Sequence, residues 1–129
     1  MKLLSHSAPV FPVEDPLKTA EYYRDILGFD INFKWGDPPS YVVINRDDTV
    51  GIHLVKKEDQ FQPSKNHVSL FIFSHDINSL YTAYAKAGAD ILHPLGDRDY
   101  GMRDFDIKDP NGFILSFGQN LEEASTKKS

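Results

Sequence analysis

The chain has 129 residues, 40% hydrophobic and 26% charged, which is typical of one globular domain, and its lack of cysteine excludes disulfides and thiolate metal sites. Its net charge of −5, with 14 Lys and Arg residues spread along the chain, argues against nucleic acid as a partner, because nucleic-acid binding needs a basic surface. No stretch approaches the ~20 apolar residues of a membrane span or the apolar core of a secretory signal, so we expect a cytoplasmic protein with no membrane contact.

The first half of the chain carries the signals of a strand, a helix and three further strands. Asp15 followed by Pro16 is typical of a helix start, and apolar residues then recur at helical spacing until Gly28, which ends the helix. Alternation and turn residues predict strands over 8–13, 29–33, 41–45 and 50–55. The first half is therefore predicted as a βαβββ module covering about residues 8–56.

The second half repeats this order. A helix is predicted to begin after Ser74 or Asp76 and to end at Gly88. Strands are predicted over 67–73, 89–92, 103–107 and 112–117. These elements form a second module at about 66–119, and residues 120–129, which lack apolar periodicity, are predicted to be a frayed polar tail.

The two halves match at an offset of about sixty residues, which indicates an internal repeat. We therefore predict an α+β fold in a single domain covering residues 1–129, in which two βαβββ modules form curved sheets around a cavity. Because alternate residues of a strand face opposite sides, the residues that do not pack on the helices are expected to line that cavity.

Two groups of residues resemble a known family. Residues 13–16 with Tyr22-Tyr23-Arg24-Asp25-Ile26-Leu27-Gly28-Phe29 resemble the opening of vicinal oxygen chelate (glyoxalase/bleomycin resistance protein/dioxygenase) proteins. Residues 101–105, 109–112 and 116–119 resemble the ending of its bleomycin-resistance-like branch. The resemblance covers about 8–119, and it implies the glyoxalase/bleomycin resistance fold, a homodimer, and metal-free binding of a small molecule of the kind seen in antibiotic resistance.

Metal-dependent members of this family take their ligands from four strand positions, which we place at Ala8, His53, His67 and Ser116. Ala8 cannot bind a metal and Ser116 is a poor ligand, whereas catalytic metal sites normally hold three or more protein ligands. We therefore expect no metal, no other cofactor and no catalytic residue. The alternative function is that of a metal-dependent lyase, transferase or dioxygenase that uses His53 and His67.

Aromatic residues near the expected cavity favour a planar ligand, since flat rings stack on conjugated molecules. By strand alternation Phe71 and Phe73 share the face of His67, whereas Val68, Leu70 and Ile72 face the helix. Filling of the core and contact between two copies are the alternatives for these rings. The predicted ligand-binding residues are Phe33, Trp35, Tyr41, His53, His67, Phe71, Tyr100 and Met102.

Four carboxylates, Asp97, Asp99, Asp104 and Asp106, surround the last predicted hairpin. They either remain solvated or attract a positively charged group. The predicted partner is therefore a small planar molecule, neutral or cationic, and a protein that serves only in protein association is the third possibility.

Overall fold

The structure is a computed structural model that describes residues 1–126, and this part of the chain contains two four-stranded sheets and three helices. The predicted α+β fold is confirmed. In chain order the elements are β1 (Val10–Val13), α1 (Pro16–Asp25), β2 (Asp30–Trp35), β3 (Tyr41–Arg46), β4 (Val50–Lys56), β5 (Leu70–Phe73), α2 (Ile77–Ala87), β6 (Asp90–Asp97), β7 (Met102–Lys108), β8 (Ile114–Asn120) and α3 (Leu121–Thr126). The chain divides into two compact units, Met1–Phe61 and the residues from Gln62 onward.

In the first unit, helix α1 packs on one face of a sheet with strand order β1-β4-β3-β2. The helix begins as predicted, because the Asp15 side chain accepts a hydrogen bond from the Lys18 amide and Pro16 occupies the first turn. Burial then alternates along the central strands, as expected for a sheet covered on one side. The fully buried residues of these strands are Val42, Ile44, Ile52 and Leu54.

The other face of the first sheet carries the aromatic residues that the sequence singled out. The strand register pairs Trp35 with Tyr41 and Phe33 with Val43, and Val43 in turn pairs with His53. Trp35 is 65% exposed and Phe33 is 50% exposed. We call this surface, defined by Phe33, Trp35, Tyr41 and His53, the open face of the first sheet.

In the second unit, helix α2 packs on a sheet with strand order β5-β8-β7-β6. Asp76, one of the two predicted caps, accepts a hydrogen bond from the Ser79 amide, and Gly88 ends the helix with a left-handed φ of 90°. The core beneath the helix is aromatic, because Tyr84 contacts both Phe105 and Phe117 edge to face. The sheet residues on this side are buried against α2.

Two strands of the second unit differ from the prediction. Strand β5 begins at Leu70, not at His67, because residues 64–67 form a local turn in which the Ser64 hydroxyl hydrogen bonds to His67 and accepts from the Asn66 amide. Strand β6 continues past the predicted end to Asp97 and includes Pro94. A proline is tolerated there because β6 is an edge strand, and its register is irregular at that point.

The C-terminal segment is another difference, because helix α3 occupies 121–126 of the tail predicted to be frayed. Ala124 is buried, the Leu121 amide donates to the carbonyl of Gly101, and the Asn120 side chain accepts from the Glu122 amide. Local capping and one buried alanine therefore order a segment that has no apolar periodicity. The last three residues of the predicted tail, 127–129, lie outside the described residues. None of the helices described over 1–126 is long and apolar enough to span a bilayer.

Candidate functional site

The second unit contains a cavity of about 520 Å³. The sheet residues that line the cavity alternate with the residues that face α2, so the cavity opens on the face of the sheet away from that helix. The lining residues come from every strand of the sheet and from the β6–β7 loop: Val68, Phe71, His93, Pro94, Leu95, Arg98, Tyr100, Asp104, Asp106 and Ser116.

Four of the lining residues form one row across the sheet. The strand register pairs Phe71 with Ser116, Ser116 with Asp106, and Asp106 with His93. Cross-strand partners on one face lie about 4.5–5.5 Å apart at their Cβ atoms. The register therefore places an aromatic ring, a hydroxyl, a carboxylate and an imidazole side by side, and we call these four residues the polar row.

Asp104, which is buried, forms a half-buried ion pair with Arg98 in the lining of the cavity. Its Oδ1 accepts a hydrogen bond of 2.6 Å from Arg98 Nε, and its Oδ2 accepts one of 2.5 Å from the Tyr100 hydroxyl. Tyr100 and Arg98 each donate a hydrogen bond to Asp104, and each bond raises the pKa of its donor above the ordinary value. Arg98 also donates to the carbonyl of Pro94, which fixes its guanidinium against β6. The Arg98–Asp104 pair therefore lines the cavity without adding net charge to it.

Asp106 and His93 form a second pair, 2.7 Å apart between Oδ2 and Nδ1. An ionised carboxylate can only accept hydrogen bonds, so the hydrogen of this bond belongs to His93 Nδ1. The other oxygen, Asp106 Oδ1, receives no hydrogen bond from any group within residues 1–126. One carboxylate oxygen in the cavity therefore remains available as an acceptor.

Ser116 lies between Phe71 and Asp106 and is only 3% exposed. Its hydroxyl makes no hydrogen bond with the part of the chain that the structure describes. No fully enclosed side-chain N or O atom of residues 1–126 lacks a partner, so this hydroxyl must reach the cavity surface. A buried hydroxyl without a protein partner requires one from outside the chain, either water or a ligand.

The structure places the predicted ligand-binding residues in four locations. Phe71 and Tyr100 line the cavity of the second unit. His67 lies in the turn before β5, exposed and bonded to Ser64, while Met102 begins β7 and is not a lining residue. The remaining four residues form the open face of the first sheet, where the Tyr41 hydroxyl and His53 Nδ1 are 2.5 Å apart. Val68, which the predicted alternation directs toward the helix, lines the cavity because β5 begins only after it.

The donor set does not fit a catalytic metal. His53 pairs with Val10 of β1 and Val43 of β3, which cannot coordinate an ion, and Ser116 pairs with one carboxylate, Asp106, which already accepts a hydrogen bond from His93. Ala8 and His67 both lie outside the strands. Over residues 1–126, no three side chains of His, Cys, Asp or Glu lie close enough together to hold a metal ion.

Sequence reasoning missed His93 and Arg98, and it did not place Asp104, Asp106 and Ser116 among the ligand-binding residues. Asp104 and Asp106 alternate with Phe105 and Ile107, a signal that places the two carboxylates together on the face away from the helix. His93 was missed because the predicted strand ended one residue before it. The position of Arg98 depends on its bond to Asp104 across the hairpin, for which the sequence has no local signal.

Comparison with known proteins connects this fold to a family. The family model described as the Glyoxalase/Bleomycin resistance protein/Dioxygenase superfamily matches residues 4–117. The chain belongs to this superfamily. Its two four-stranded sheets and three helices match the glyoxalase/bleomycin resistance fold. No curated protein sequence matches the chain.

Solved structures of superfamily members and related proteins share the fold at low sequence identity. TnmS3, an antibiotic binding protein from Streptomyces sp. CB03234, has a TM-score of 0.74 at 19% identity, over 93% of this chain and 99% of that one. TioX from Micromonospora sp. ML1 has a TM-score of 0.71 at 18% identity, with 89% and 99% coverage. A superfamily member from Alicyclobacillus acidocaldarius has a TM-score of 0.76 at 16% identity, with 95% and 96% coverage. At these identities the likeness shows the fold alone.

Proposed function

We propose that this superfamily member binds a small, partly aromatic molecule without a catalytic metal, as bleomycin-resistance-like proteins do, and that the cavity of the second unit is the binding site. The observation that carries the proposal is the buried Ser116 hydroxyl, which opens into a cavity bordered by Phe71 and lacks a partner within residues 1–126. A polar group of this kind requires a partner from outside the chain. The antibiotic-binding neighbour TnmS3 is consistent with this function.

The size and lining of the cavity support a drug-sized ligand. Its volume of about 520 Å³ lies within the ~300–1,000 Å³ of typical small-molecule sites. Aliphatic and aromatic side chains supply the apolar walls, and a few polar groups are available to orient the ligand. Each aromatic contact contributes about 0.5–1.5 kcal/mol beyond the burial of area, so Phe71 and Tyr100 together supply about 1–3 kcal/mol of the ~8 kcal/mol that micromolar affinity requires, and burial of apolar area and hydrogen bonds must supply the rest.

The donor set favours binding over metal-dependent catalysis. The strand partners of His53 are Val10 and Val43, which cannot coordinate an ion, and no three side chains of His, Cys, Asp or Glu within residues 1–126 lie close enough together to hold one. The enzymatic alternative needs at least one further ligand close to these positions. A small ligand held by stacking and hydrogen bonds needs none.

The test is calorimetric titration with bleomycin and with a panel of planar compounds. We expect a dissociation constant in the micromolar range for at least one of them, weakened at least about tenfold by Phe71→Ala and by Tyr100→Ala. Phe61→Ala is the matched control, because Phe61 is an exposed phenylalanine outside the cavity. If no compound binds more tightly than about 1 mM, the proposal is wrong.

The same titration tests the open face of the first sheet. Trp35 is the only tryptophan in the chain and it belongs to that face, so its fluorescence reports on the face selectively. We propose that Phe33, Trp35, Tyr41 and His53 of the first unit also bind a small planar ligand. A fluorescence change that saturates with the calorimetric binding curve supports that role. Saturated calorimetric binding with unchanged Trp35 fluorescence would restrict the site to the cavity.

A further inference from the structure

The polar row has hydrogen-bonding capacity that the protein leaves unused. Asp106 Oδ1 and the Ser116 hydroxyl are neighbours in the register, and neither forms a hydrogen bond with residues 1–126. The carboxylate oxygen can only accept, and the hydroxyl oxygen can accept through its lone pairs. The cavity therefore offers two adjacent acceptors beside the ring of Phe71.

The charge of the lining favours a cation at this place. Arg98 pairs with Asp104, whose other oxygen accepts from Tyr100. His93, when neutral, donates to Asp106 without removing its charge. Asp106 is therefore the lining carboxylate that no guanidinium or ammonium group contacts within residues 1–126, and Arg98 acts on it only at longer range. A buried or half-buried charge of this kind is stabilised by an opposite charge from a ligand.

We propose, on the basis of the proposed function, that the cavity selects molecules in which a primary ammonium group lies one or two bonds from an aromatic ring. The ammonium donates to Asp106 Oδ1 and to Ser116 Oγ, while the ring packs against Phe71 and Tyr100. The positive charge also interacts favourably with the faces of those rings. Aromatic packing supplies affinity, and the polar row supplies selectivity.

Four naphthalene probes separate these contributions: 2-naphthylmethylammonium, 2-naphthylmethyl-trimethylammonium, 2-naphthylmethanol and 2-naphthoate. We expect the primary ammonium to bind at least about tenfold more tightly than the alcohol, because hydrogen bonds to charged groups are the stronger ones. The trimethylammonium probe keeps the charge but has no N–H donor, so it is expected to bind between the two. The carboxylate is expected to bind most weakly.

Two variants locate the selectivity in the polar row. Asp106→Asn is expected to bind the ammonium and the alcohol with nearly equal affinity, since it removes the charge and keeps the shape. Ser116→Ala is expected to reduce the preference about threefold, because one acceptor is lost. Asp97→Asn is the matched control: Asp97 bonds to Arg103 outside the cavity, so its loss should leave the preference unchanged.

The outcomes distinguish this inference from the proposed function. If the alcohol binds as tightly as the ammonium and Phe71→Ala weakens both, the site binds aromatic molecules and the ammonium inference is wrong. If the carboxylate binds most tightly, Arg98 selects the ligand, which also overturns the inference. If none of the four probes binds more tightly than about 1 mM while bleomycin or another planar compound does, the inference is wrong and the proposed function stands; if those compounds do not bind either, both fail. The wild-type titrations alone give the order of affinity of the four probes, even if a variant does not fold.

Discussion

Gly118 of β8 lies directly beneath the ring of Phe71, with no room for a side chain between them. A Cβ atom at residue 118 would lie 2.7 Å from Phe71 Cζ and 3.1 Å from Met102 Cε. Both distances are shorter than ordinary contacts between carbon atoms, which are about 3.5–4.0 Å. The absence of a side chain at Gly118 therefore determines where the ring of Phe71 lies, and with it the shape of the cavity wall.

Gly118→Ala is expected to displace the Phe71 ring and weaken ligand binding at least about tenfold, while overpacking lowers the free energy of unfolding by about 1–3 kcal/mol. Calorimetry and urea denaturation measure the two effects. Gly51→Ala is the control, because a Cβ there meets only ordinary contacts, the nearest at 3.5 Å. Unchanged affinity in Gly118→Ala would show that the position of Phe71 does not matter for binding.

Gln119 connects the end of the second sheet to helix α2 through two hydrogen bonds. Its side-chain oxygen accepts from the Ile77 amide at 3.1 Å, and its side-chain nitrogen donates to the His75 carbonyl at 2.8 Å. Gln119 and its hydrogen bond to the Ile77 amide are buried, so removal of this side chain leaves a buried amide without that partner. We expect Gln119→Ala to lower the free energy of unfolding by about 1–3 kcal/mol, as measured by urea denaturation. Gln62→Ala, at an exposed glutamine, should cost less than about 0.5 kcal/mol; an equal cost in both variants would contradict the role of Gln119.

Tyr100 makes the stability of the protein depend on pH in the alkaline range. The hydrogen bond to Asp104 raises the pKa of Tyr100 above 10.0, so the folded protein holds the phenol proton more tightly than the unfolded chain. This contribution to stability is complete below about pH 10 and is lost as the pH rises through the folded pKa, because the unfolded chain releases its proton first. Above about pH 10, Tm should fall more steeply in the wild type than in Tyr100→Phe. Below about pH 9 the two curves should run parallel; parallel curves throughout would exclude the effect.

The homodimer expected from the family resemblance stays a prediction. Phe33 and Trp35 lie on edge strand β2, and such exposed apolar edges are commonly covered by another chain. Light scattering should give twice the chain mass of 14.7 kDa at micromolar concentration. Trp35→Lys should shift the equilibrium toward the monomer if this face is the interface. A mass of 14.7 kDa for the wild type would contradict the prediction.

Local sequence signals account for the fold class and for most element positions. The caps at Asp15 and Asp76 and the left-handed end at Gly88 depend on neighbouring residues only, so the sequence was sufficient to place both long helices. The alternation of apolar residues likewise identified all eight strands. The sequence did not predict the short helix α3, because the order of this helix depends on contacts with β7 and β8 and not on its own periodicity.

The tertiary structure alone decided which residues form the candidate site. Alternation within a strand shows that Asp104 and Asp106 share a face, but it does not show which residue of the next strand lies beside each of them. That choice is the strand register, and backbone hydrogen bonds between distant segments set it. The register placed Ser116 between Phe71 and Asp106 and left His67 in a turn outside the cavity. The sequence by itself determined the two modules and their aromatic content, whereas the polar row exists only because separate strands pair in one register.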